Sequence, residues 1–297
     1  MIRAIAHLAV WAAVYIAAAV VCAAQLLGAP HALTPGILLF AWSTALLAYL
    51  LDRVKLRDAW LDPADEQAHP DRYAFLFTHR HAARALMAVA GAVSLISGWM
   101  LHPIAAAGTG ATVAGVLLYA GRPRAPGGGA RLKDRFIIKN LFVGAGIAAF
   151  AMLIVVLAAE RAAGGRSMDL RELWPLPFPP LTLALTLAYL TLRVYADAVL
   201  CDIDDEPADR ANDTRTLPTR IGGEDAWRAA MWLRLALAAS LLCWPVGPFT
   251  ARAAWAGCSA AGTIALRWWR PRRIRDLVDA RFGLEAACVW AILRIVS

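Results

Sequence analysis

One feature constrains this chain more than any other. Apolar runs of about 20 residues, the length a helix needs to cross a bilayer, follow one another from end to end, and the charged residues stand between them. Nine candidate spans can be marked, at 4–27, 34–52, 83–101, 103–120, 137–159, 176–199, 227–245, 248–266 and 282–296. His102-Pro103 is a turn signal that splits one long apolar stretch into two antiparallel helices. Composition agrees: 60% of the 297 residues are hydrophobic and 18% are charged, against about 45–50% and about 25% in a soluble domain. The expected fold is all-α, a single polytopic membrane domain over 1–297. The run from Ile5 to Leu27 is too long for a signal h-region of about 7–15 residues, so it is expected to be the first helix.

The basic residues are unevenly placed. Arg53, Lys55, Arg57, Arg72, Arg80 and Arg84 follow span two; Arg122, Arg124, Arg131, Lys133 and Arg135 follow span four. Arg210, Arg215, Arg220 and Arg228 follow span six, and Arg267, Arg270, Arg272, Arg273 and Arg275 follow span eight. The opposite loops are short and poor in charge, apart from the mixed segment 160–175. The positive-inside rule places the N-terminus and all four basic loops in the cytoplasm. The net charge of +8 therefore speaks to lipid headgroups, not to nucleic acid. The five cysteines form no CxxC or metal spacing, and four lie within apolar spans, where a thiol acts as a small hydrophobe.

Acidic groups at a membrane boundary need a reason. The densest run is 194–222, VYADAVLCDIDDEPADRANDTRTLPTRIG. Asp202, Asp205 and Asp209 stand at i, i+3 and i+7, on one helical face. Three carboxylates there repel unless a cation lies between them, and hard oxygen ligands with open positions suit Mg²⁺ held jointly with substrate phosphates. Asp204 falls off this face and reads as solvated. Pro207 is expected to bend or break the helix. The alternative is an acidic loop in water. A second acidic stretch, AYLLDRVKLRDAWLDPADE (48–66), closes span two with Asp52 and continues to Asp58; Asp58, Asp62 and Asp65 share a helical spacing too. Lys139, at the start of span five, either snorkels to the headgroups or meets a diphosphate as a point charge. Arg215 can serve in the same way, and Arg53 beside Asp52 is a further substrate contact. Arg72 and Arg80 are weaker candidates. Trp42, Tyr49, Tyr119, Tyr189 and Tyr195 either pack between helices or turn their π-faces to a developing cation; Tyr195, close to the aspartates, is the chosen candidate.

The segment DIDDEPADRANDTRTLPTRIG resembles the second aspartate motif of the UbiA superfamily of intramembrane prenyltransferases. There DxxDxxxD is followed by T-L-P and then Gly, which maps without gaps onto Asp202, Asp205, Asp209, Thr216, Leu217, Pro218 and Gly222. The resemblance implies a nine-helix bundle around a central cavity, with aspartate motifs after helices two and six. The first motif departs from the family's NDxxDxxxD. Asp52-Arg53 is similar to its central pair, Ala48 and Tyr49 stand at the Asn-Asp positions, and Asp58 is displaced by two residues. The resemblance implies Mg²⁺ on Asp52, Asp58, Asp202, Asp205 and Asp209. It implies Lys139 and Arg215 on the diphosphate, and transfer of a polyprenyl group from its diphosphate to a lipophilic acceptor in the membrane. Two rivals remain: a family member without catalysis, for which the altered first motif speaks, and a lipid or small-molecule transporter. Arg193 and Asp197, ionisable residues within span six, are the transporter's only support.

Overall fold

The structure is a computed structural model that describes residues 7–54, 63–120, 138–164, 177–212, 214–268 and 274–296. These fold as α1 (Val10–Leu26), α2 (Pro35–Val54), α3 (Pro63–Ala68), α4 (Pro70–Thr78), α5 (Arg80–Leu101) and α6 (Pro103–Ala120). There follow α7 (Ile138–Ala162), α8 (Pro180–Ala211), α9 (Leu217–Ile221), α10 (Gly223–Ser240), α11 (Phe249–Trp268) and α12 (Ile274–Val296). There is no strand among the described residues. Among the described residues, five helical segments are long and apolar enough to cross a membrane: α2, α5, α7, α8 and Gly223–Cys243. Val10–Leu26 and Pro103–Tyr119 are apolar but shorter. α11 and α12 have the length but are not among these segments, so nine crossings remain an expectation. Helix α5 does end at Leu101 and α6 begins at Pro103, as the His-Pro signal predicts.

Two boundaries differ from expectation. Pro207 lies inside α8 without ending it. The helix runs on to Ala211, carrying the aspartates on one continuous rod. The last helix starts at Ile274, eight residues before the expected span, because Asp204 receives its first backbone N–H groups (2.8 Å from Ile274 N and 3.2 Å from Arg275 N). Such groups otherwise lack partners. Asp204 is therefore a helix cap supplied by another helix, not a solvated residue.

The bundle is built around α1. Its alanine-rich sequence buries Ala13, Ala19, Val20, Ala23 and Ala24 completely, and it packs against α2, α7, α8 and α12. Small side chains let helices approach closely where lipid supplies no hydrophobic drive. Trp244 Nε1 donates to the last-turn carbonyl of Leu26 (2.9 Å). Thr44, Ser94 and Thr109 tie α2, α5 and α6 through a buried hydroxyl chain (2.6 and 2.8 Å). Trp99, Met100, Leu118, Trp232, Trp290 and Ile295 are largely exposed on the outside, as suits a surface solvated by acyl chains.

The closest backbone approach bears on the site. A Cβ built on Gly144 of α7 would lie 2.7 Å from the Thr191 carbonyl oxygen of α8. Gly144→Val is expected to cost about 1–3 kcal/mol as an overpacked contact, measured as a lower midpoint of unfolding in detergent. Because Lys139 and Asp202 meet across the same two helices, activity should fall as well. An unchanged midpoint would show that the helices separate freely.

Candidate active site

The aspartate motif is extended along the last turns of α8, where helical spacing keeps Asp202, Asp205 and Asp209 on one side. Each meets a different environment. Asp202 is buried; its Oδ1 accepts from Lys139 Nζ and its Oδ2 from Asn140 Nδ2, both at 2.7 Å. Asp205 pairs with Arg275 Nη2 at 2.5 Å and with His69 Nε2 at 2.9 Å. Burial holds the His69 imidazole below its ordinary range, against the opposing pull of Asp205. Asp209 is buried too, and its Oδ2 has no hydrogen-bond donor. The T-L-P residues form the start of α9: Thr216 and Thr219 make a reciprocal capping box around Pro218, which fits the fixed φ of proline at the first turn. Gly222, at φ 87°, ends that helix in a backbone conformation that favours glycine.

An apolar cavity of about 460 Å³ opens between α2, α6 and α7. Asp52 is the one charged residue among its described lining residues, with Tyr49, Tyr119, Phe142 and Val143 also in the wall. Tyr119 and Phe142 stack at 6.0 Å. Phe142 and Val143 stand three and four residues beyond Lys139 on α7, so the ammonium group caps the face that lines the cavity.

The expected site residues are thus partly assembled. Lys139 meets Asp202, and Asp52 stands at the cavity wall. Arg53, the next residue, turns elsewhere and donates to the His7 carbonyl (3.1 Å). Arg215 is exposed and makes no ion pair with described residues. Tyr195 packs half-buried against the cluster of Val199, Leu200, Trp227 and Met231, while Tyr49 and Tyr119 line the cavity. Asp58 and Asp62 lie outside the described residues, as does the basic loop 122–135. Asn140, His69 and Arg275 join the site without a mark in the sequence pattern. Asn140 directly follows Lys139, whereas Arg275 was absorbed into a basic loop and His69 lies 136 positions from Asp205 (205 − 69).

A second charged cluster sits deeper. Arg193, Asp197, Arg234, Arg281 and Glu285 are all buried. Arg193 pairs with Glu285 at 2.5 Å and Asp197 at 3.4 Å, and Arg281 reaches Glu285 at 3.3 Å and Asp197 at 3.4 Å. Arg234 pairs with Asp197, to which Tyr15 Oη donates at 2.8 Å. Arg193 also meets Ser259 and covers the Phe282 ring at 4.8 Å. The two residues that favoured a transporter are thereby joined in a network spanning α1, α8, α10, α11 and α12. None of the five charged residues lines the apolar cavity.

The profile of the UbiA prenyltransferase family matches residues 76–289. The chain belongs to the UbiA prenyltransferase family. Among solved structures, a UbiA homologue from Aeropyrum pernix K1, in its apo form, aligns with a TM-score of 0.61 at 17% identity, covering 96% of this chain and 97% of its own. The structure of a digeranylgeranylglyceryl phosphate synthase aligns at 0.50 and 11% identity, covering 98% and 96%. No curated protein matches. At these identities the structural likeness speaks for the fold alone. Family and fold together make this a UbiA-type integral membrane protein, of a family whose reaction is prenyl transfer.

Mg²⁺, which the UbiA family implies, can be tested against the residues present. Among the described residues no three of His, Cys, Asp and Glu converge closely enough to hold a metal alone. Yet the donors are hard oxygens on one helical face, and the buried Asp209 Oδ2 lacks the partner a cation would supply. This fits an ion whose coordination is completed by phosphate oxygens.

Proposed function

We propose that this chain transfers a polyprenyl group from its diphosphate to an acceptor at the membrane, with Mg²⁺ held by Asp202, Asp205 and Asp209 on one side and Asp52 on the other. The observation that carries this is the position of the Lys139–Asp202 pair on the helix face that continues into the apolar cavity. When bound, Mg²⁺ neutralises charge on the diphosphate leaving group. Lys139 offers that group a fixed ammonium, and Asn140 keeps Asp202 oriented. Such preset charges act where water is excluded and need no rearrangement as the bond breaks. The apolar cavity houses the prenyl chain and shields the allylic cation from water. Tyr49 and Tyr119 stand in the wall of that cavity, and their rings would stabilise such a cation. The basic loops put this end of the bundle in the cytoplasm.

The direct test uses purified protein in lipid nanodiscs with Mg²⁺, labelled prenyl diphosphates of several lengths and a panel of acceptors. Release of diphosphate with a labelled lipid product is expected. No turnover together with no diphosphate binding would refute the proposal.

The cavity offers a sharper measurement. Gly115 and Gly146 both line it, and a Cβ added to either meets nothing within 4 Å. Gly146→Leu should fill space without straining the helices and shift preference toward shorter donors. Roughly 10- to 200-fold discrimination is available from such a steric change in a hydrophobic pocket. Competition between donors of different length reads the shift, and an unchanged preference would place the chain elsewhere.

A further inference from the structure

A second cavity, of about 230 Å³, adjoins the aspartate motif at Asp204 and Arg275. It is lined by His7, Arg53, Ala68, His69, Pro70, Asp71, Arg72, Asp204, Arg275 and Asp276. Its character is opposite to that of the apolar cavity. Its described lining residues supply three guanidinium groups, three carboxylates and two imidazoles, with no Phe, Tyr, Trp or large aliphatic side chain among them. The two cavities are divided by neighbouring residues. Asp52 lines the apolar one and Arg53 the polar one. Arg275 lines the polar cavity while its Nη2 holds Asp205, a member of the motif itself.

Prenyl transfer joins two reactants, and only one of them is a hydrocarbon chain. A quinone-like acceptor would be held chiefly by apolar contact, which the described wall does not offer. Guanidinium groups bind phosphate or carboxylate through paired N–H donors, and carboxylates accept from hydroxyl groups. We infer that the polar cavity between Arg53, Arg72 and Arg275 binds the acceptor, and that this acceptor is a small hydroxylated anion of the sugar- or polyol-phosphate class. The inference rests on the prenyl-transfer reading for its role and on the cavity wall for its chemistry. A hydroxyl of the acceptor supplies the nucleophile: its oxygen bonds to the allylic carbon, the carbon–oxygen bond to diphosphate breaks, and diphosphate leaves with that electron pair. The hydroxyl proton passes to solvent or a neighbouring carboxylate.

The test uses the full chain in nanodiscs, with a non-hydrolysable prenyl thiolodiphosphate saturating the donor side. Binding of two probes, ribose 5-phosphate and 4-hydroxybenzoate, is then followed by calorimetry. Ribose 5-phosphate should bind at least ten times more tightly than the aromatic carboxylate. Arg72→Gln, from α4, and Asp276→Asn, from α12, should each weaken it about tenfold or more, with binding of the thiolodiphosphate unchanged. Two variants on separate elements guard against one that misfolds. Equal or reversed preference between the probes overturns the inference, as does ribose 5-phosphate binding that neither variant alters. Loss of thiolodiphosphate binding by the unaltered protein would instead strike at prenyl transfer itself; Arg72-dependent binding of ribose 5-phosphate without donor would still support the polar site.

Discussion

Asp202→Asn is expected to lower prenyl transfer by about 100- to 1000-fold, the range seen when one preset group for developing charge is removed, while the fold survives. The choice of Asn matters. Asp202 takes a hydrogen bond on each oxygen, from Lys139 and from Asn140. Alanine would strand the Lys139 ammonium beside a void and confuse instability with loss of chemistry. Asparagine keeps one carbonyl oxygen to accept from Lys139 and removes the charge that a metal ion requires. Turnover of a labelled donor, with helical content and unfolding midpoint measured on the same sample, separates the two effects. Near-normal turnover would mean that the motif is a scaffold and that the chain belongs with the non-catalytic alternatives.

The second large effect concerns the deep network. Its three arginines and two carboxylates carry a net charge of +1. Asp197→Ala raises this to +2 and deprives three guanidiniums and Tyr15 of their shared acceptor. Removing one partner of a buried ion pair costs about 3–5 kcal/mol. Arg234→Met brings the net charge to zero at similar volume and leaves Asp197 and Glu285 each paired with Arg193 and Arg281. The midpoint of unfolding should therefore fall much further for Asp197→Ala than for Arg234→Met. Equal losses, or the reverse order, would mean that water or an ion already balances the network.

The helical membrane fold could be read from the spacing of apolar runs because that spacing answers to one length, the thickness of the bilayer. The face shared by Asp202, Asp205 and Asp209 was legible for the same reason: it depends on helical periodicity within one element. The partners of those aspartates were not. Arg275 meets Asp205 from 70 residues away, and within the basic run after span eight nothing local separates it from arginines that serve only the headgroups. Asp204 looked solvated because its neighbours were judged on α8 alone, whereas its ligands are the amides of another helix. Arg53 seemed to share the role of Asp52, but successive helical residues point about 100° apart, which here is enough to place them in different cavities.

The attachment of α12 to the aspartate motif also bears on how the protein is made. Residues are synthesised from the N-terminus, so Asp202 can meet Lys139 as soon as α8 has followed α7. Asp205 must wait for Arg275, and α12 must pack against α1, the first helix formed. The proposed diphosphate end thus matures only when α12 closes the ring of packing that α1 opened. A nascent chain halted before residue 274 would hold the apolar cavity while lacking the arginine that neutralises Asp205. On the proposed reading, competence for chemistry in this way waits for α12.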